Sequence, residues 1–315
     1  MRVAVLREPG RFELADEPVP TPGREEVRLR VAVCGVCASE LDMWRGARGH
    51  ASLPWYPGHE VSGIVEEVGG QVTWPAVGDP VGAWVTTRGF ADQVVLRSEH
   101  CVALDGTPVE VGLVEPLACA VNAIELAGLR PGDDVLVIGA GYMGLLLLQL
   151  AAQHAPRHLI VADVRGEALE RARGLGATHV VNVADASLAD AVGHLTGDVG
   201  VDVSIEATGT QPALSSVADV TRMSGAVVIA GYHQGEPRQL DLATWNWKAF
   251  RIANAHFRDV AVIMHGMRRA GRLLASKRIA MEPLVTHRFP LDRIDEAFRA
   301  AVEKPDGFVK AVVHP

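Results

Sequence analysis

The chain has 315 residues, 48% of them hydrophobic and 22% charged, with a formal net charge of −8 at pH 7. This composition is typical of a globular protein whose core suffices for folding without a disulfide or metal staple, and the acidic balance argues against a nucleic-acid partner. There is no signal-peptide pattern, no apolar run long enough to cross a bilayer, and only four cysteines. We therefore expect a cytoplasmic protein with reduced thiols and no membrane partner.

The first part of the chain, to about Val114, is predicted to be rich in β-structure. Short apolar runs alternate there with Gly and Pro signals, beginning with a strand at the N-terminus. Further predicted strands cover 27–33, 61–68 and 90–96.

From Glu115 onward, helices and apolar strands alternate. Pro116 suits the first turn of a helix over 117–127, and Gly128 suits its C-terminal cap. Fully apolar strands alternating with helices indicate a parallel sheet that is covered on both faces. The predicted strands are 135–138, 159–162, 201–205 and 226–230, and the helices between them are 144–153, 167–174 and 212–223. Beyond Asn254 the predicted elements are helices over 260–274 and 293–302 and strands over 285–289 and 309–314.

A glycine motif for a dinucleotide follows the first of these apolar strands. Gly139, Gly141 and Gly144 form G-x-G-x-x-G between a strand and a helix, which is the context that makes the motif specific. The three glycines allow a tight turn, close approach to a pyrophosphate, and close helix–strand packing, respectively. The helix N-terminus offers unpaired N–H groups to the phosphates, and Tyr142 and Met143 lie inside the predicted site.

The predicted cofactor is NAD. Asp163 follows Gly144 by nineteen residues at the end of the second strand, where a carboxylate binds ribose hydroxyls and repels the extra phosphate of NADP. Arg165 is discordant, because a nearby arginine accommodates that phosphate, so NADP is kept as the alternative. The alternative interpretation is a fold of the same type that binds no nucleotide and contains this glycine pattern by chance. Such a fold would not require the strand, the three glycines and the acid to occur together.

Residue types that bind zinc occur in the β-rich region and at its end. Cys37 lies in CGVCASELD, His59 and Glu60 lie in PWYPGHEVSG, and Glu115 and Cys119 lie in VEPLACAVN. Zinc takes thiolate, imidazole and carboxylate ligands, and a catalytic zinc keeps one position open. The two cysteines of CGVC alone could form half of a structural site, but no second cysteine pair completes it. An ordinary loop histidine is the alternative for His59.

Seven motifs carry a family resemblance, in the order CGVCASELD, GHEVSGIVEEVG, VGDPVG, VEPLACAVNA, VLVIGAGYMG, IEATG and VTHRFPLDRIDEAF. Over essentially its whole length the chain resembles the zinc-dependent alcohol and polyol dehydrogenases of the medium-chain dehydrogenase/reductase superfamily. The resemblance implies an α/β fold with a GroES-like β-rich catalytic domain (1–116 and 256–315) and a Rossmann doubly wound parallel-sheet NAD-binding domain (117–255). It implies hydride transfer between NAD and a secondary alcohol, such as a polyol, cyclitol or sugar-like substrate, in a homodimer or homotetramer.

The resemblance also implies the metal ligands. Cys37 and His59 match the first two ligand positions. The third is Glu115 by similarity to sorbitol-dehydrogenase-like members or Cys119 by similarity to ethanol-type enzymes, and we favour Glu115 because the surrounding EPLA resembles the polyol group. Glu60 matches an acid beside the metal that is able to swing onto it, which makes it a further alternative.

Two departures from the family pattern affect the chemistry. Ser39 matches the proton-relay position, but Asp42 stands where the relay histidine is expected, so the proton exit route stays open. The segment between Val81 and Phe90 lacks the four cysteines with which many relatives bind a structural zinc. We therefore expect one catalytic zinc and no structural zinc.

The nicotinamide half of the cofactor is expected at the carboxyl edge of the sheet, near Ala207, Thr208, Gly209, Ala230 and Gly231. Candidate pocket residues, each equally compatible with ordinary packing, are Trp44, Trp55, Trp84, Asn254, His256 and Arg258. The alternative functions are a zinc-free quinone or enoyl reductase, which lacks the Cys and His ligands, and a non-catalytic NAD-binding protein.

Overall fold

The computed structural model describes residues 1–47 and 53–315. Its strands are β1 (Arg2–Glu8), β2 (Arg11–Asp16), β3 (Glu26–Gly35), β4 (Glu60–Val68), β5 (Pro80–Trp84), β6 (Gln93–Arg97), β7 (Cys101–Ala103), β8 (Asp134–Ile138), β9 (His158–Asp163), β10 (His179–Asn182), β11 (Val201–Glu206), β12 (Thr221–Ile229), β13 (Arg251–Asn254), β14 (Val285–Pro290) and β15 (Lys310–His314). Its helices are α1 (Ala38–Trp44), α2 (Val114–Ala127), α3 (Tyr142–Ala152), α4 (Gly166–Gly174), α5 (Leu188–Thr196), α6 (Gln211–Val220), α7 (Leu242–Trp247), α8 (Val260–Ala275) and α9 (Ile294–Glu303). The chain divides into two compact units, one formed by Met1–Ala118 with Ile263–Pro315 and the other by Cys119–Val262.

The first unit contains the hairpin β1–β2 and a mixed sheet in the order β14-β15-β3-β4-β5-β7, with β6 also paired to β3. Alternate residues of β3 are apolar and buried, and they pack in one core with Phe90 and Phe298. The antiparallel register places Gly35, at the end of β3, opposite Glu60, at the start of β4. The segments that follow β3 and precede β4 therefore meet at one end of this sheet.

The second unit is a six-stranded parallel sheet in the order β10-β9-β8-β11-β12-β13. All five residues of β8 are buried, and so is the leucine-rich centre of α3. The strand order reverses between β8 and β11, which is the switch point at which such sheets bind ligands. The predicted α/β class with a parallel sheet is confirmed.

Some element boundaries differ from the predictions. The helix predicted over 212–223 ends at Val220, and β12 begins at Thr221. The hydroxyl of Thr221 donates to the carbonyl of Val217 at 2.7 Å and meets Ser204 at 2.7 Å, and two adjacent β-branched residues favour the extended chain. The strand predicted over 90–96 begins only at Gln93. Among residues 1–47 and 53–315, no helix combines the length and apolar character needed to cross a membrane.

Candidate metal and cofactor sites

Cys37, His59 and Glu60 lie together in the first unit, with their ligand atoms all within 4.8 Å of one another. Cys37 is the N-cap of α1 and Glu60 begins β4, so the β3–β4 pairing brings the three side chains together. The combination of thiolate, imidazole and carboxylate fits zinc. In the described part of the chain, no other group of three or more such side chains is this close.

Glu40 supports this cluster from α1, and sequence reasoning missed it. Its buried Oε1 accepts a hydrogen bond from the Gly58 amide at 2.7 Å and lies 3.0 Å from Nδ1 of His59. A carboxylate on one ring nitrogen orients the imidazole and directs the other nitrogen to a metal. Burial opposes the charged ring, but the charges of Glu40 and Cys37 outweigh it and raise the pKa of His59 well above its usual value. The signal in the sequence is a glutamate three residues after the cap, the capping-box spacing.

Lys310 is a second missed residue, and it lies in β15 against Glu60. Its Nζ lies 2.8 and 2.6 Å from the two carboxylate oxygens of Glu60 and donates to the Val36 carbonyl at 2.9 Å. Both side chains are almost fully buried. Burial opposes the ammonium, but the Glu60 carboxylate outweighs it, so the pKa of Lys310 lies above its usual value. The only trace in the sequence is a lysine at the start of an apolar strand.

The predicted proton-relay residues lie on α1. The Ser39 hydroxyl donates to Sγ of Cys37 at 3.2 Å, which places Ser39 directly beside the candidate metal-binding cluster. One carboxylate oxygen of Asp42 lies 3.8 Å from Nη1 of Arg45. Asp42 is half-buried, and the cation beside it is the guanidinium of Arg45.

The third-ligand candidates on α2 are Glu115, which the resemblance favours, and Cys119, its alternative. Glu115 lies in the first turn of α2, and its charge acts on Lys310 by raising the pKa of that ammonium. Cys119 is one turn further along the same helix and begins the second unit. The Glu60 carboxylate lies within 4.8 Å of the ligand atoms of Cys37 and His59.

The glycine motif forms the turn between β8 and α3. Gly139 has a φ of +107°, and its amide donates to the Ala162 carbonyl at 2.7 Å. A Cβ on Gly144 would lie 1.7 Å from the carbonyl oxygen of Gly139, whereas a Cβ on Gly141 would meet nothing within 4 Å. Gly144 therefore serves packing, and Gly141 leaves an open approach to the N-terminus of α3, where Tyr142 and the adjacent Met143 are half-buried.

Asp163 lies beside this turn. One carboxylate oxygen accepts from the amide of Ala140 at 2.7 Å, and the other accepts from the amide and Nε of Arg165 at 2.9 and 3.3 Å. The guanidinium of Arg165 is thus paired with the acid expected to face the ribose. The pairing links the two residues that favour opposite cofactors.

The loops after β11 and β12 meet at the carboxyl edge of the sheet. They carry the residues predicted for the nicotinamide side: Ala207, Thr208, Gly209, Ala230 and Gly231. Buried Glu206, a further missed residue although it lies in IEATG, accepts from the amides of Thr208 and Gly209 at 2.6 and 2.9 Å. Its other oxygen is 2.9 Å from Nε2 of His233. A Cβ on Gly231 would lie 2.2 Å from the Gly209 nitrogen, so the two loops touch through their backbones.

The tryptophans considered for the pocket serve mainly the first unit's packing. Trp44 is buried, with its ring 6.0 Å from that of Phe298. Trp55 pairs with β1 and packs on the same core. Trp84 is half-buried, at the end of β5, and meets the His100 ring edge-on at 4.7 Å.

The polar candidates lie in the second unit. Nε2 of His256 is 3.1 Å from the Gly231 carbonyl, and its ring meets that of Tyr232 edge-on at 5.2 Å. Asn254 is exposed at the end of β13, and Arg258 bonds to the preceding carbonyl. Of these candidates, His256 is the one that contacts the predicted nicotinamide loops.

Comparison with known proteins identifies the family. The model of the alcohol dehydrogenase GroES-like domain matches residues 23–126, and that of the zinc-binding dehydrogenase matches residues 143–274. Sorbitol dehydrogenase of Gallus gallus is 30% identical over 336 residues, covering 93% of this chain and 91% of that protein. The chain belongs to the zinc-binding alcohol dehydrogenases. The predicted membership is confirmed, and the protein is an oxidoreductase of the alcohol and polyol type.

Solved structures of dehydrogenases share this fold. A chain from Sinorhizobium meliloti 1021 bound to NADP aligns with a TM-score of 0.89 at 24% identity, covering 100% of this chain and 99% of that one. An alcohol dehydrogenase from Escherichia coli CFT073, in complex with NADH, aligns with a TM-score of 0.87 at 22% identity, covering 100% and 99%. These two structures therefore show the fold and hold different dinucleotides.

Proposed function

We propose that this zinc-binding dehydrogenase interconverts a secondary alcohol and a ketone on a polyol, cyclitol or sugar-like substrate, with one zinc ion held by Cys37, His59 and Glu60. The observation that carries the proposal is the cluster of these three donors within 4.8 Å. Zinc bound by such a set is a Lewis acid that lowers the pKa of an alcohol oxygen. Glu115 is the alternative third ligand. The similarity to a sorbitol dehydrogenase supports the substrate class.

The protein's own groups hold the cluster and move the proton. Glu40 orients the His59 ring through Nδ1, and Lys310 compensates the buried charge of Glu60. Ser39, 3.2 Å from Sγ of Cys37, is the hydroxyl best placed to accept the substrate proton and pass it toward solvent. A hydroxyl can accept one proton while releasing another, which is what a relay requires.

The proposed cofactor is NAD. A bound nicotinamide supplies the site at which the substrate's hydride is accepted or donated. Asp163 supports NAD over NADP, because its carboxylate lies at the end of β9 beside the glycine turn and repels a second phosphate. The ion pair between Asp163 and Arg165 also supports NAD. The Arg165 guanidinium would be needed to bind the extra phosphate of NADP, and here it is already paired with the Asp163 carboxylate.

We further propose a homo-oligomer in a reducing, cytoplasmic compartment. The strand β13 is one of the two edge strands of the parallel sheet, and exposed apolar side chains lie on and near it, including Ile252 and Trp247. An edge strand with exposed apolar residues favours pairing with a second copy, in a homodimer or homotetramer. No disulfide joins the four cysteines, all of which lie within the described residues, and this supports the compartment.

Metal analysis with an activity panel tests the proposed function. We expect about one zinc per chain and NAD reduction with at least one polyol. Cys37→Ala should lose both zinc and activity, whereas Cys34→Ala, which removes the other thiol of CGVC, should retain both. A Cys37→Ala protein that stays active without zinc would contradict the proposal and favour the zinc-free reductase.

A further inference from the structure

The turn between β5 and β6 lies backbone to backbone against the segment that carries His59. The amide of Arg88 donates to the Tyr56 carbonyl at 3.0 Å, and the amide of Gly89 donates to the Gly58 carbonyl at 3.0 Å. Gly58 has a φ of +104°, and a Cβ there would lie 2.6 to 2.8 Å from backbone atoms of Gly89 and its neighbour. The close approach therefore requires glycine, and a shift of the turn would shift residues 56–58.

The Arg88 side chain connects this turn to the Tyr56 ring and to the Glu17 carboxylate, both in the first unit. Its guanidinium carbon lies 3.8 Å from the centroid of the Tyr56 ring, and its Nη1 donates to Glu17 at 2.8 Å. Arg88 holds a φ of +65°, a left-handed conformation that is unfavourable for a residue with a Cβ. The hydrogen bond from Arg88, with a smaller one from Tyr56, lowers the pKa of Glu17. We call Glu17, Tyr56 and Arg88 the arginine clamp.

The arginine clamp connects to the metal-ligating cluster through one carboxylate oxygen. Oε1 of Glu40 accepts from the Gly58 amide at 2.7 Å and lies 3.0 Å from Nδ1 of His59. Because the same oxygen contacts both groups, a displacement of Gly58 changes the orientation of the His59 ring. A cation–π contact and an ion pair, each modest alone, are thereby coupled to a metal ligand.

We propose that Arg88 is a positioning residue for the metal site, holding His59 in its ligating orientation through the turn and Glu40. The inference rests on the proposed function, because it needs Cys37, His59 and Glu60 to bind zinc. Arg88 is not one of the three residues in the candidate zinc-binding group. Its substitution should therefore loosen the metal without changing the ligand set.

Zinc release from the holoprotein into excess chelator tests the inference. In Arg88→Gly, glycine accepts the left-handed backbone, so the side chain is removed without adding strain. We expect zinc to leave about tenfold faster than from the wild type, the lower end of the effect of removing a residue that supports a metal ligand. The cobalt-substituted protein should show shifted d–d absorption bands, and Arg88→Lys, which keeps the charge, should recover part of both effects.

Two further variants separate positioning from stability. Tyr56→Leu removes the ring beneath the guanidinium and should accelerate zinc release as Arg88→Gly does. Arg28→Ala removes the ion pair between Arg28 on β3 and Glu67 on β4, in which the arginine is better buried than Arg88. It should release zinc at the wild-type rate even where its melting temperature falls.

The outcomes distinguish the inference from the proposed function. If Arg88→Gly and Tyr56→Leu release zinc at the wild-type rate and show wild-type cobalt spectra, the positioning role is overturned. If the wild-type chain nevertheless binds one zinc, the proposed metal site is retained. Equal acceleration in Arg28→Ala would also overturn it, because general loosening of the unit would then be the cause. A wild-type chain that binds no zinc would overturn both proposals.

Discussion

Replacing Lys310 with methionine tests whether the ammonium compensates the buried carboxylate of Glu60. The lysine side chain is 7% exposed and the glutamate 2%, and Nζ lies within 2.8 Å of both carboxylate oxygens. Methionine is apolar, unbranched and of similar length, so Lys310→Met removes the charge with little change in packing volume. The variant leaves Glu60 buried without its cation and the Val36 carbonyl without its donor.

The expected loss is large because solvent cannot screen this pair. Removing one partner of a buried ion pair costs about 3–5 kcal/mol. At about 2–4 °C per kcal/mol for units of this size, the melting temperature should fall by about 6–20 °C. The double variant Lys310→Met with Glu60→Gln should recover more than half of the loss, because no buried charge is then left uncompensated.

Urea and thermal unfolding, followed by circular dichroism in excess chelator, measure these changes without a contribution from zinc. Arg28→Ala provides a comparison, because the ion pair that it removes, Arg28–Glu67, is more exposed than the Lys310–Glu60 pair. A Lys310→Met variant within about 1 kcal/mol of the wild type would refute the reasoning. So would a double variant that is less stable than the single one.

Three further predictions concern the second unit. Gly144→Ala should cost about 1–3 kcal/mol in thermal unfolding because its Cβ would overlap a backbone oxygen at 1.7 Å, whereas Gly141→Ala should fold normally yet bind NADH roughly tenfold more weakly in a fluorescence titration. Asp163→Ser should free Arg165 and raise the ratio of kcat/KM for NADP over NAD by roughly tenfold to a hundredfold; an unchanged ratio in steady-state assays would be contrary evidence. Burial lowers the pKa of His256, so the unfolded chain takes up a proton that the folded one resists, and stability falls as pH drops below the ordinary histidine value. His256→Gln should therefore lose less stability than the wild type between about pH 7 and pH 5 in urea titrations, and equal losses would exclude this contribution.

The sequence predicted the parallel sheet and the glycine turn because their signals are local. An apolar strand, three glycines and a helix start lie within residues 134–144, and the geometry of a strand–turn–helix follows from neighbours along the chain. Boundaries were less predictable where helix and strand adjoin, as between α6 and β12, because a tertiary hydrogen bond from Ser204 contributes there.

The family resemblance selected Cys37 and His59 from the sequence, and their types suit zinc. The residues that support them were not predictable in this way. Lys310 lies 250 residues from Glu60 along the chain, and Gly58 is 18 residues from Glu40. The spacing of apolar and polar residues along a single helix or strand does not indicate pairs that are this far apart in the chain.

What the sequence alone determined is the fold class and the dinucleotide turn, since both follow from local patterns of strands, helices and glycines, while the family resemblance supplied the candidate metal ligands. What only the tertiary structure decided is that the Glu60 carboxylate lies near Cys37 and His59 and that the Lys310 ammonium balances its charge. The physical reason is that burial and pairing energies depend on distances across strands, and the register of β3, β4 and β15 sets those distances.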